Sequence, residues 1–408
     1  MKMDMQEVEI VAGTYEELLL GYKLVEEDGS FRLQPSFTDH SHTGCIKTVA
    51  ISRRGVLASG GSDEVVRLIN LKKRTELGSL MEHEGAITCV QFYRGSHLFT
   101  ASQDKTICIW KSFTWECLRT LRGHKGGVNH VSVHPSGKLA LSVGKDNSMQ
   151  TWNLLRGRSG YITNTKQACD LVVWSTSGDS YIMVTNNSLA VYNTETATVQ
   201  CSIEAPGRVN AVIFLQNEVI AYGGEGGEIF IHNIKDNKHL SCVKSNTVRI
   251  RGLGCRHSPY NNNKQLMVSV SSDGLIKVWE IDTDEKADVQ CSLLCEHNTK
   301  FRLTCVAITP SKLDNSATVK SASEEKSKKD NSVGTGSNDL VEGQSESESD
   351  ADLTAHRVPS SKVTNQQPDR KYVNRAKRKR KQRPATDEFP PSEHRSMKKK
   401  RRNPKKVS

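Results

Sequence analysis

The chain has 408 residues, of which 36% are hydrophobic and 25% charged, and a formal net charge of +11. That length suits one large domain with appendages or two ordinary domains, and no stretch of about 18 apolar residues is available to cross a membrane as a helix. The charge is uneven: residues 370–408 hold 17 Lys and Arg against 3 Asp and Glu, so residues 1–369 carry a net −3. The amino terminus, MKMDMQEVEI, is acidic where a secretory signal needs an apolar core. The 11 cysteines, Cys45 to Cys305, include no CxxC pair. Neither zinc spacing nor a disulfide framework is visible, and buried, reduced thiols in a soluble intracellular protein are expected.

In chain order, residues 8–14, 18–25 and 31–37 alternate apolar and polar types and read as three short strands. The run Asp39-His40-Ser41-His42 is a weak metal candidate. A unit then recurs, and residues 123–154 are its clearest copy. It opens on Gly123-His124, alternates through 128–133, turns at Pro135-Ser136-Gly137, alternates through 139–143, turns again at Asp146 and ends on Trp152-Asn153. The turn residue and the one six positions later recur as Asp63 and Ile69, Asp104 and Trp110, Asp146 and Trp152, Asn186 and Tyr192, Gly226 and His232, and Asp273 and Trp279. Glu16 and Tyr22 make a seventh pair, at a period of roughly 40 to 45 residues.

Units of this size cannot bury their apolar faces alone, so they stack as four-stranded blades in a ring. The unit resembles the repeat of the WD-repeat family, and the fold class expected is all-β: a seven-bladed WD-repeat β-propeller over residues 1–310. Closure is legible too, because an open ring would leave unpaired edges. The first copy lacks a first strand, and LTCVAITP at 303–310 supplies one. One blade is therefore shared by strands from the N- and C-terminal ends of the domain.

In the WD-repeat family the His, a Ser or Thr of the second strand, the turn Asp and the Trp form a buried hydrogen-bonded chain. The resemblance places His124, Ser142, Asp146 and Trp152 in one such set, and His83, Thr100, Asp104 and Trp110 in a second. His42, Ser59 and Asp63 make a partial third, while Ser269, Asp273 and Trp279 recur with Asn246 where the His is expected. A Ser, His and Asp together can also form a hydrolase triad. Recurrence argues against that here, since catalysis needs its site once and a blade staple is needed in every blade. Hydrolytic propellers gather carboxylates or metal ligands around the channel, and no such non-repeating set is visible.

Copies four and five, residues 161–232, diverge most: Thr165 and Ala205 stand at the His positions, leaving strand pairing and packing to hold them. The run GGEGG at 223–227 is a blade turn and no phosphate loop, since no helix is expected after it. Residues 255–264, CRHSPYNNNK, read as a polar insertion lengthening the sixth copy and a plausible contact loop.

Past Pro310 the composition cannot support a core. Residues 311–369 are expected to be a disordered Ser-rich and acidic linker, in which Ser345, Ser347 and Ser349 each precede an acidic residue by three positions, a spacing suited to phosphorylation by an acid-directed kinase. Residues 370–408 are expected to be a disordered basic tail. Its clusters Lys377, Arg378, Lys379, Arg380, Lys381 and Lys398, Lys399, Lys400, Arg401, Arg402 read as nuclear localisation signals, as a salt-dependent grip on RNA phosphates, or both.

The segments VAGTYEELLLGY (11–22), WECLRTLRGHKG (115–126), HPSGKLALSVGKD (134–146) and SSDGLIKVW (271–279) go beyond the generic repeat. Through them the chain resembles the family of PAK-interacting WD-repeat proteins with its fungal counterpart in ribosome synthesis. That resemblance implies a non-catalytic scaffold without cofactor, located in the nucleus and nucleolus. It also implies two roles: large ribosomal subunit assembly with rRNA processing, and negative regulation of a PAK-type serine/threonine kinase through its regulatory region. The expected partners are that kinase region, proteins of pre-ribosomal particles and rRNA through the tail, with no membrane and a monomer inside larger complexes. The rivals are a cytoplasmic kinase regulator without a ribosomal role and a chromatin or ubiquitin-ligase adaptor.

Overall fold

A computed structural model describes residues 7–244, 248–261, 264–282 and 289–311. These form 28 strands in seven four-stranded antiparallel sheets, the seven blades of a propeller, with no helix among the described residues. Blade 3 shows why the sequence folds this way: its strands are Val128–Val133, Leu139–Gly144, Ser148–Asn153 and Arg158–Asn164. The first turn needs a left-handed residue and has Gly137 at φ 71°; the second places Asn147 at φ 55°. Burial falls from the inner strands to the outer one, where five of seven residues are exposed.

The core lies between blades. Val131, Val133 and Trp152 of blade 3 pack with Phe99, Ile107 and Ile109 of blade 2, and the same arrangement continues around the ring. A lone blade would leave such a face wet, at about 25 cal/mol per Å² of apolar area.

Closure joins the two ends of the described chain. Leu303–Ile308 is the inner strand of blade 7 and pairs antiparallel with Val8–Thr14, with Ile10 opposite Ile308 and Gly13 opposite Cys305. Leu19–Glu27 and Ser30–Asp39 complete that sheet. The junction is sealed by Thr309 N donating to Glu9 O at 2.9 Å, Glu9 N donating to Thr309 Oγ1 at 3.0 Å, and Arg302 Nε donating to Glu16 Oε1 at 2.9 Å.

The insertion expected at 255–264 is shorter than its polar composition suggests. Residues 255–257 belong to the strand Ile250–His257, and Lys264 opens the strand Lys264–Ser271, so both ends of the run are sheet. Arg256, read as a loop residue, is 2% exposed and donates from Nη1 to Thr309 O at 2.8 Å. A charge on a strand with its donors satisfied packs where composition alone predicts solvent.

The inner strands share one irregularity. In six of them the second residue is skipped by the ladder: Lys47, Thr88, Asn129, Asn210, Arg251 and Thr304. Such a bulge turns its side chain off the ladder. Four of these side chains stitch to a carbonyl at or just before the start of the next inner strand: Thr88 Oγ1 to Val128 O at 2.8 Å, Asn129 Nδ2 to Cys169 O at 2.8 Å, Asn210 Nδ2 to Ile250 O at 3.1 Å, and Thr304 Oγ1 to Ile46 O. The ring of blades is thus laced on its inner side by polar side chains at the repeat spacing.

Candidate functional site

The His, Ser or Thr, Asp and Trp side chains meet inside blades 2 and 3. In blade 3, Trp152 Nε1 donates to Ser142 Oγ at 2.8 Å, and Ser142 Oγ lies 2.7 Å from His124 Nε2. A hydroxyl that accepts from the indole has its own proton left for His124 Nε2. That leaves the neutral ring protonated on Nδ1, which faces the Asp146 carboxylate at 3.0 Å. Asp146 also accepts from Lys125 N at 2.7 Å and from Ser148 Oγ at 2.8 Å. Burial lowers the His124 pKa against the opposing pull of Asp146, so the ring is neutral at pH 7. Burial alone would raise the Asp146 carboxyl; the hydrogen bonds from Ser148 and Lys125 and the proximity of His124 outweigh it and hold the pKa low.

Blade 2 repeats the arrangement. Trp110 Nε1 donates to Thr100 Oγ1 at 3.0 Å, His83 lies 2.8 Å from that hydroxyl and 2.7 Å from Asp104 Oδ2, and Asp104 Oδ1 accepts from Thr106 Oγ1 at 2.7 Å. Burial pushes the Asp104 carboxyl up, and the bonds from Thr106 and His83 more than reverse it.

Blade 1 keeps the middle of the chain: His42 lies 2.7 Å from Ser59 Oγ and 2.8 Å from Asp63 Oδ2, with buried Ile69 in the Trp place. His42 is thereby committed within its blade, Asp39 Oδ1 accepts from Ser41 Oγ at 2.6 Å, and no group of three or more His, Cys, Asp or Glu among the described residues could hold a metal ion. In blade 6, Trp279 Nε1 donates to Ser269 Oγ at 2.9 Å, but Asp273 turns to its own loop, accepting from Ser271 Oγ. Asn246 lies outside the described residues, as do Ser345, Ser347, Ser349 and both basic clusters.

Two features of these sites escape a reading based on the His, Asp and Trp alone. The first is the hydroxyl two residues after the Asp, Thr106 and Ser148, which fills the second carboxylate oxygen; the Asp-x-Thr/Ser spacing is its signal. Blade 1 has Val65 there, and Asp63 Oδ1 is buried without a partner. Val65→Thr supplies the missing donor in a near-identical shape and is expected to stabilise the fold by about 0.5–1.5 kcal/mol. Thermal melting checks this; a lower melting temperature would refute it.

The second is what replaces the staple in blades 4 and 5. Beyond strand pairing, His134 of blade 3 meets Trp174 edge-on at 4.7 Å, Trp174 meets Tyr181 at 5.2 Å, and Tyr181 stacks on Tyr192 at 5.0 Å and 6°. Gly178, at φ 89°, lies under His134, where a Cβ would come within 2.3 Å of Nε2. In blade 5, Tyr222 stacks on Phe230, and His232 Nε2 lies 3.1 Å from Asn237 Oδ1. Thr165 Oγ1, at a His position, donates to Gln167 O at 2.6 Å. The Gly-rich run at 223–227 ends the strand Val219–Gly224 and turns into the strand Glu228–Asn233. All eleven cysteines are free, but where buried thiols were expected only Cys89, Cys108, Cys169 and Cys201 are buried, six are partly exposed and Cys242 is exposed.

A ring of seven four-stranded blades, three of them stapled from His to Asp, defines a WD-repeat propeller. The WD domain, G-beta repeat family matches residues 74–111 and 115–153. A p21-activated protein kinase-interacting protein 1-like protein of Danio rerio is 38% identical over 301 residues, covering 74% of this chain and 80% of the relative. The p21-activated protein kinase-interacting protein 1 of Homo sapiens is 35% identical over 307 residues, covering 74% and 77%. Protein MAK11 of Saccharomyces cerevisiae is 27% identical over 356 residues, covering 72% and 84%. The chain belongs to the p21-activated protein kinase-interacting protein 1 family.

Proposed function

We propose that the chain is a non-catalytic scaffold. The observation that carries this reading is that the three Ser/Thr, His and Asp sets lie inside blades, with each His held between its hydroxyl and its carboxylate. Such side chains hold strands and have no route to a substrate, whereas the loops and outer strands remain for partners. One partner is the regulatory region of a PAK-type serine/threonine kinase, whose activation the propeller restrains. Support comes from the relatives, which are named for interaction with a p21-activated protein kinase.

The second role is assembly of the large ribosomal subunit and processing of its RNA in the nucleolus. Support comes from the sequence resemblance to the fungal counterpart and from the paired basic clusters of residues 370–408, which suit a nuclear address and rRNA phosphates. Ser345, Ser347 and Ser349 are proposed phosphorylation sites in the acidic linker.

The test is co-sedimentation of the full chain with pre-ribosomal particles from nuclear extract. The chain is expected to travel with them and to be released by salt, while a fluescent-protein fusion lacking residues 370–408 loses nuclear accumulation. A chain that stays at the top of the gradient refutes the ribosomal role, and unchanged nuclear accumulation refutes the tail as an address.

A further inference from the structure

A cavity of about 240 Å³ is lined by Lys47, Asp170, Arg208, Asn210, Arg251 and Thr304. These residues come from the starts of five inner strands or from just before them, those of blades 1, 4, 5, 6 and 7. A space that touches five of the seven inner strands can only be the central channel, here at the mouth where those strands begin. This is also the end from which the His-bearing loops enter blades 1 to 3.

Three of the four charges, Lys47, Asp170 and Arg251, arise at one repeat position, and Arg208 stands two residues before it in blade 5. Four blades use the second inner-strand residue to stitch the ring, as Thr88, Asn129, Asn210 and Thr304 do. Lys47 and Arg251 hold that position in blades 1 and 6, and in blade 4 Asp170, which follows the Cys169 carbonyl bonded by Asn129 and lies just ahead of the strand Leu171–Trp174, takes the equivalent place. Asp170 is taken up by Arg208, whose Nη2 donates to its Oδ1 at 3.0 Å. Arg208 keeps further donors in its planar fork. Among the described residues Lys47 and Arg251 make no hydrogen bond or ion pair, although Arg251 is half-buried. Three cations and one carboxylate leave this recess at +2. Lys47 and Arg208 are exposed at the rim and Arg251 is half-buried, so an anion entering the mouth meets three converging cations without having to displace a protein partner from Lys47 or Arg251.

We infer that the channel mouth receives one phosphorylated side chain, phosphoserine or phosphothreonine, of a protein partner. A phosphate monoester carries about −1.5 to −2 at pH 7 and three acceptor oxygens, which matches the recess in charge and in donors. The volume is below the ~300–1,000 Å³ of ordinary small-molecule pockets and suits a single side chain. A nucleic-acid strand would need the basic track to continue outward. The adjacent cations are already neutralised, Arg302 by Glu16 at 2.9 Å and Arg249 by Glu225 at 3.4 Å. The inference deepens the scaffold reading and rests on it for the existence of a partner. The two fail separately, because co-sedimentation measures partner association and the following titration measures only the mouth.

Short glycine peptides carrying one phosphoserine, one glutamate or one serine, and a short oligouridine, are titrated into the full chain and into its Lys47→Gln/Arg251→Gln variant. The tail is common to both proteins, so the difference between them reports on the channel. The phosphopeptide is expected to bind more tightly than the glutamate peptide, and roughly tenfold or more weakly to the variant, at unchanged melting temperature. Equal affinity for both proteins overturns the inference. So does oligouridine binding that falls in the variant while phosphopeptide binding does not, which assigns the mouth to nucleic acid. Should the variant fold poorly, hydrogen exchange on the unaltered chain decides. Protection by the phosphopeptide at residues 208–210 and 250–252 upholds the site, and protection confined to residues 370–408 overturns it.

Discussion

Replacing Asp146 by Ala lowers the stability of the full chain by about 2–4 kcal/mol and its melting temperature by roughly 5–10 °C. The size follows from what the carboxylate holds. It accepts from His124 Nδ1, from Lys125 N and from Ser148 Oγ, so its loss orphans donors on three residues. The His124 side chain is 0% exposed, and its lowered pKa keeps it from gaining a charge that water could solvate. The loss also passes along the chain, since Ser142 is oriented by His124 on one side and by Trp152 on the other. Asp273→Ala is the internal control: that carboxylate serves only its own turn among the described residues and should cost much less. An Asp146→Ala protein that melts with the wild type removes the network as a source of stability.

The ring was legible in the sequence because its signals are short-range and repeat. Each blade needs a turn residue and a large, mostly apolar residue six positions later, and even eroded pairs such as Glu16 and Tyr22, Asn186 and Tyr192 or Gly226 and His232 keep the spacing. The shared blade was legible by subtraction, since three strands at the start call for a fourth elsewhere and an unpaired edge is a liability. Contacts between copies left no such trace. His134 and Trp174 lie in different blades, and nothing in a period-two pattern joins a turn residue of one copy to the end of the next inner strand. Arg256 misled for the same reason: its acceptor, Thr309 O, is 53 positions away in the closing segment.

The channel mouth was hidden for a further reason. Lys47, Asp170 and Arg251 are unremarkable one at a time, and only equivalence with Thr88, Asn129, Asn210 and Thr304 shows that a stitching position has become charged. For Lys47 and Arg251 that equivalence depends on the bulge, which shifts a side chain from the ladder toward the channel without altering the apolar pattern around it.

A chain ending after residue 311 should keep the cooperative melting transition of the full chain, and a chain ending after residue 301 should lose it. The shorter chain lacks the inner strand of blade 7. Val8–Thr14, buried along its whole length, is left with one ladder edge open at positions that face 303 and 305–308. Leu303, 1% exposed, alone contributes about 1.5–3 kcal/mol of burial. Its removal also uncovers the inner strands of blades 1 and 6, which lose the stitch from Thr304 to Ile46 O and the anchor of Arg256 on Thr309. Together these are comparable with the whole stability of an ordinary domain, about 5–15 kcal/mol. Near-UV circular dichroism and size-exclusion chromatography of the two truncations check this, and a peptide of residues 302–311 added to the shorter chain should restore part of the signal by completing the sheet. A monomeric chain ending at 301 with the wild-type melting curve would show that the ring does not need its latch.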